Sequence, residues 1–122
     1  MAQIKKVISS NFPYLPVQII VNENVYKIEA LIDTGFDGAI VLPPKLFSNG
    51  KSPKRYVDCK LADNSVIEVP IYIGSIKLSD KKINSITVLI MGDEPIIGRS
   101  IIKHFKVILD RKSTRLNSSH RL

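Results

Sequence analysis

The triplet Asp33-Thr34-Gly35 is the sharpest chemical feature of the sequence. It follows directly on the apolar run Ile28, Ala30, Leu31 and Ile32, and Ala39–Leu42 resumes the apolar pattern a few residues later. A carboxylate at the end of a buried strand loses hydration, which raises its pKa and suits it to accept and donate protons. The other reading of the triplet is a glycine turn whose Asp caps its own backbone. That reading accounts less well for an acid set directly after a buried strand. Further candidates are weaker. Cys59 and His104 could form a thiol–imidazole pair, but they read more simply as a strand cysteine and an exposed helix histidine. Gly35-Phe36-Asp37-Gly38 is no phosphate loop, because no Lys-Ser or Lys-Thr follows. Asp93-Glu94 reads as a solvated loop, since the only acids near it are each other. Two histidines and one cysteine are too few for an ordinary zinc site. A lone cysteine forms no internal disulfide, which favours a reducing compartment.

The elements that must position Asp33 are short and mostly extended. Ile4, Val7 and Ile8 suit a short strand, broken at Asn11-Phe12-Pro13. In Tyr14–Val21, Leu15, Val17, Ile19 and Val21 alternate with their neighbours, as in a strand with one buried face. Asn22-Glu23-Asn24 is turn chemistry, and Val25–Ile32 returns as the second strand of a hairpin leading into Asp33. Gly35 and Gly38 punctuate a tight loop before the short strand Ala39–Leu42. Pro43–Phe47 suits a single helical turn opened by proline. Lys54–Leu61 and Val66–Ile73 form a second hairpin around Ala62-Asp63-Asn64-Ser65, a polar tip that tolerates positive φ. Gly74-Ser75 separates off Ile76–Leu78, and Ser79–Lys82 is a charged turn. Asn84–Met91 is a β-branched run of the kind buried on both faces. Gly92–Pro95 is a loop. Gly98–His104 has helical spacing, and Phe105–Leu109 alternates as a terminal strand. The pattern predicts one mostly-β domain, barrel-like or sandwich-like.

Composition excludes several classes. The chain has 122 residues, 44% hydrophobic and 24% charged, as in ordinary globular domains. No apolar run approaches the roughly 20 residues of a membrane helix. The first ten residues lack the apolar core and cleavage site of a secretory signal. Together with the Met1 start, this gives a cytoplasmic expectation. The net charge of +7 is misleading. From Asp110 the chain reads Asp-Arg-Lys-Ser-Thr-Arg-Leu-Asn-Ser-Ser-His, which resembles the translation of a sequencing adapter. Residues 111–122 are therefore read as a non-native tail and residues 1–110 as the domain. The tail carries four of the 18 basic residues and no acid, so without it the charge is +3. Lys51, Lys54 and Arg55 read as loop charges, as do Lys81 and Lys82. None is interleaved with aromatics, so no nucleic-acid partner is expected.

Leu31-Ile32-Asp33-Thr34-Gly35-Phe36-Asp37-Gly38-Ala39-Ile40-Val41-Leu42-Pro43 resembles the active-site segment of retropepsin-like aspartic proteases. The family's second marker, two hydrophobics and Gly, then usually Arg, opening the last helix, stands here as Ile96-Ile97-Gly98-Arg99-Ser100-Ile101-Ile102. The hairpin Lys60–Val66 lies between them, where the family carries its flap. The resemblance spans about Leu15 to Leu109 in family order, and Asp63-Asn64 at the tip is closer to microbial and retroelement-related members than to retroviral ones. It implies a mostly-β, closed retropepsin-like barrel with a flap hairpin and one short C-terminal helix. It implies an endopeptidase that needs no cofactor and takes an extended polypeptide substrate. Such chemistry uses two carboxylates sharing one proton around a water. One triplet per chain then calls for a C2 homodimer that brings two Asp33 residues together. Asp33, Thr34 and Gly35 become the catalytic segment, with Thr34 bonding across the dimer. Asp37 and Gly38 join the substrate-binding residues with Ala62, Asp63, Asn64 and Ser65 of the flap. Ile96, Ile97, Gly98 and Arg99 support the loop, with Arg99 paired to Asp37. No nucleic acid, membrane or metal is implied. The rival expectation is a dimeric peptide- or protein-binding module of the same fold with little or no turnover. A structural β-domain whose triplet is only a turn is the third.

Overall fold

The computed structural model describes residues 5–9, 11–47 and 51–109. Readings that fall on the remaining positions, the 111–122 tail among them, lie outside the described residues. The described chain contains β1 (Lys5–Ser9), β2 (Tyr14–Val21), β3 (Asn24–Ile32), β4 (Ile40–Leu42), β5 (Arg55–Lys60), β6 (Val66–Leu78), β7 (Lys81–Ile90), β8 (Ile96–Ile97), α1 (Arg99–Ile102) and β9 (Phe105–Leu109). A 3-10 turn over Pro44–Leu46 follows β4, with proline at its first position as expected.

Six strands close a ring in the order β2-β3-β8-β4-β7-β6, and β6 returns to β2. The molecule is therefore a mostly-β closed barrel with one short helix. Closure removes the sheet edges that β2 and β6 would otherwise present. β5 stands outside the ring as the partner of β6. β1 and β9 form a separate parallel pair. The barrel interior is filled by alternate residues: Leu15, Val17, Ile19 and Val21 from β2, Ile40 and Leu42 from β4, Val88 and Ile90 from β7, with Ile97 and Ile101. Each of these side chains is buried.

Two expectations need correction. Gly74-Ser75 does not end a strand: β6 runs unbroken from Val66 to Leu78. Lys81 and Lys82 are not turn residues but open β7, because Ser79, at φ +56°, reverses the chain within Ser79-Asp80. Between Gly74 and Ile76 the register with β7 shifts: Gly74 faces Ile86, whereas Ile76 faces Ile83. β7 thus carries one extra residue, with Ser85 at φ +58°. This bulge bends the pair, and just there Ser75, Ile76 and Lys77 take up β2 as a second partner. Gly74 sits at the point of closest approach. A Cβ there would run into the Ile20 carbonyl, so the barrel closes over a residue with no side chain.

Candidate functional site

Asp33 is the residue after β3, and it continues the ladder of that strand. Leu31 N–H donates to the Pro95 carbonyl at 2.9 Å and Asp33 N–H to the Ile97 carbonyl at 3.0 Å. Ile32 N–H donates to Pro13 on the other side at 2.8 Å. The backbone under the carboxylate is therefore held from both flanks. The side chain is half-buried, and its Oδ1 accepts the Gly35 N–H at 2.9 Å. Phe36 N–H donates to the Asp33 carbonyl at 3.2 Å, closing the turn. A Cβ on Gly35 would lie 3.3 Å from the Asp33 carboxylate, tighter than ordinary contact. Thr34 is exposed beside it.

The two sequence markers meet in space. Gly98 N–H donates to the Ala39 carbonyl at 2.8 Å, and Arg99 N–H to Phe36 at 2.7 Å. Ser100 N–H reaches the Gly38 carbonyl at 3.3 Å. Gly98 is buried, and a Cβ on it would collide with the carbonyls of Gly38 and Phe36. On Gly38 a Cβ would lie 2.6 Å from the Phe36 ring. The loop after Asp33 thus packs backbone to backbone on the start of α1, an approach only glycine permits. Outside this contact the Arg99 guanidinium pairs with the Asp37 carboxylate. Both side chains are largely exposed, at 62% and 80%, so the pair adds about 0.2–1 kcal/mol. The glycine packing, not the ion pair, carries the loop.

A feature the sequence reading missed is an apolar row on the outer face of the barrel. Strand register aligns Leu31 with Ile96, Ile96 with Val41, Val41 with Leu89, and Leu89 with Ile71. Tyr14 and Arg55 stand at its two ends. Val41, Ile71 and, two residues from Ile71, Val69 are buried without belonging to the barrel core. Alternation along the chain puts Asp33 on the same face as Leu31. The signal was present: Ile40-Val41-Leu42 and Ile96-Ile97 are apolar without alternation, as in strands that bury both faces. The face continues up the β5–β6 hairpin through the pairs Val57–Val69 and Cys59–Ile67. Phe12, exposed at 52%, lies in the turn whose Pro13 carbonyl holds Ile32, and sequence reasoning gave it no role.

The hairpin tip Ala62, Asp63, Asn64 and Ser65 is ordered by its own side chains. Leu61 N–H donates to Ser65 at 2.8 Å and Asn64 N–H to Leu61 at 2.9 Å. Asn64 has φ +71°, the conformation its residue type was expected to tolerate. The Asp63 carboxylate accepts the Ser65 hydroxyl at 2.5 Å and the Ser65 N–H at 3.0 Å. These bonds, the hydroxyl first, hold its pKa below the usual carboxylate value. Among the described residues no cluster of three or more His, Cys, Asp or Glu could hold a metal ion. No described helix is long and apolar enough to cross a membrane. No protein-family model matches the chain, and no curated protein matches it.

Proposed function

We propose that the chain is a retropepsin-like aspartic endopeptidase acting as a C2 homodimer, with no cofactor. The observation that carries the reading is the placement of Asp33. Its backbone is fixed in the ladder between β3 and β8, and its carboxylate, half-buried, shares a face with the apolar row Leu31, Ile96, Val41, Leu89 and Ile71. A turn that merely capped itself would not need that ladder or that face. An extended peptide laid on the row has apolar ground for its side chains and a carboxylate at its backbone. The β5–β6 hairpin, with Val57, Val69, Cys59 and Ile67 on the same face, is the flap that covers it.

The chemistry follows from two Asp33 residues on the two-fold axis. Two carboxyl groups about 3 Å apart hold one proton between them, because both cannot ionise. The ionised one takes a proton from the water between them as the water oxygen attacks the peptide carbonyl carbon. The protonated one gives its proton to the carbonyl oxygen. When the tetrahedral adduct collapses, the C–N bond breaks, the carboxyl that took the water's proton gives it to the leaving nitrogen, and one adduct hydroxyl gives its proton to the other carboxylate. The products are one carboxylic acid and one amine. Thr34 and Gly35 fix the geometry of the pair, and Asp37, Gly38 and the tip Ala62–Ser65 meet the substrate backbone.

The test is cleavage of a mixed peptide library between about pH 4 and 7, where a shared-proton dyad titrates. Asp33→Asn is assayed beside the parent chain, with the oligomeric state of both measured. Cleavage by the parent that is lost in Asp33→Asn is the expected result. A dimer that binds peptides without cutting them refutes the enzyme in favour of a binding module.

A further inference from the structure

A second feature lies on the outer face, away from the Asp33 loop. Strand register lines up Lys27 of β3, Gln18 of β2, Lys77 of β6 and Lys82 of β7 in one cross-strand row. All three lysines are exposed. Three strand spacings separate the first from the last, about 14 Å. Lys77 and Lys82 are direct cross-strand partners, a juxtaposition of like charges that destabilises the isolated sheet. Among the described residues none of the three lysines makes an ion pair. Glu29 stands one row away, opposite Pro16, and its Oε1 accepts the Asn11 amide at 3.4 Å. The row borders a groove of about 570 Å³, whose lining includes Pro16, Gln18, Lys27, Glu29, Lys77 and Ser79. The groove opens because β6 pairs with β2 only from Gln18 to Ile20. Pro16 of β2 lines the groove and lacks the N–H that would recruit another strand.

We propose that this lysine row is a docking face for an acidic polypeptide segment. An anion laid across Lys77 and Lys82 relieves their repulsion, and the row is long enough for several residues of extended chain. The partner's class follows from what borders the groove. Among the described residues no aromatic lines it, as stacked bases would require. Among the described residues that line it there is no helix end, as a phosphate site would use. Gln18, between two ammonium groups, offers an amide to a carboxylate or to a peptide group.

The probe is a dye-labelled peptide of alternating Glu and Ser, titrated with the full chain and followed by fluorescence anisotropy at low salt. A labelled oligo-thymidylate of similar length is run in parallel. The triple variant Lys27→Gln, Lys77→Gln, Lys82→Gln binds the peptide about tenfold more weakly than the parent. A control with the same charge change at exposed lysines elsewhere, Lys45→Gln, Lys54→Gln, Lys60→Gln, loses less than about twofold. The 111–122 tail is common to all and cancels. Gln18→Glu, which places a carboxylate inside the row without removing a lysine, weakens binding as the triple variant does. Three results overturn the proposal: no peptide binding by the parent, equal losses in the control and the row variant, or tighter binding of the oligonucleotide than of the peptide.

Discussion

Replacing Gly98 by Ala tests what holds the loop after Asp33. The backbone at Gly98, φ −98° and ψ −177°, is open to alanine, so the substitution brings no dihedral strain. The cost comes from space alone. The new methyl group meets two carbonyls, Gly38 and Phe36, and the Phe36 ring. A side chain could rotate away, but carbonyls move only with their backbone. Each carbonyl is an acceptor for α1, Phe36 for Arg99 at 2.7 Å and Gly38 for Ser100 at 3.3 Å. Overpacking of this kind costs about 1–3 kcal/mol, and loosening two hydrogen bonds adds about 1 kcal/mol each. The stiffer unfolded chain returns about 0.4–1 kcal/mol. The net expectation is a loss of about 2–5 kcal/mol. Arg99→Ala removes only an exposed pair and costs at most about 1 kcal/mol. Urea unfolding at fixed protein concentration separates the two, as a shift in midpoint at constant slope. Should Arg99→Ala prove the more damaging, or Gly98→Ala fall within about 0.5 kcal/mol of the parent, the loop is held by charge and the packing argument is wrong.

Gly74→Ala places a methyl group against the Ile20 carbonyl where β6 passes from β7 to β2. It lowers stability by about 1–3 kcal/mol, and amide exchange rises first at Gln18–Ile20 if barrel closure is what fails. The Asp63 carboxyl titrates below its ordinary value of 3.8 because of Ser65. The tip is therefore supported above that value and loses the support as pH falls through the lower folded pKa. In Ser65→Ala the NMR titration of Asp63 returns towards 3.8, and no movement refutes the hydroxyl's role. Tyr72 is buried, and burial pushes its phenol above 10.0. Stability from this group is complete below 10.0 and is lost as pH rises through the higher folded value. Its hydroxyl donates to the Lys51 carbonyl at 2.9 Å, so Tyr72→Phe costs about 1 kcal/mol. A wild-type midpoint after this substitution shows that water replaces the bond without loss.

Local chemistry was legible in the sequence wherever the partner lies nearby. The hairpin Tyr14–Val21 with Asn24–Ile32 follows from alternation and a polar turn, and Asn64 at the second hairpin tip follows from its tolerance of positive φ. Asp33 stood out because an acid rarely follows a buried strand directly. What the sequence did not reveal depends on distant partners. Gly74 reads as a breaker in isolation, yet it is the clearance for Ile20, more than fifty residues away in the chain. The apolar row exists only through a register that joins five strands, and no window along the chain contains it. The run Asn84–Met91 read as buried on both faces. On one face Ile86, Val88 and Ile90 are buried, whereas on the other Thr87 and Leu89, the latter a member of the apolar row, are half-buried.

The bulge in β7 ties these features together. Leu89 and Thr87 face outward with Ile71 and Ile73, and without a bulge every odd-numbered residue of β7 would follow them. Ile83 would then point to solvent and Lys82 into the barrel. One extra residue at Asn84-Ser85 reverses the parity, so Ile83 instead faces Ile76 in the core and Lys82 joins Lys77 outside. The same irregularity bends β6 towards β2, brings Gln18 beside Lys77 and so completes both the barrel and the lysine row. On β3 no bulge intervenes. Lys27 and Asp33, six residues apart, share the outer face about 20 Å from each other. On the proposed endopeptidase and docking readings, a polypeptide that follows β3 from the lysine row would reach the Asp33 loop after about six extended residues, so the length of one strand would set the spacing between an acidic segment and the bond cut.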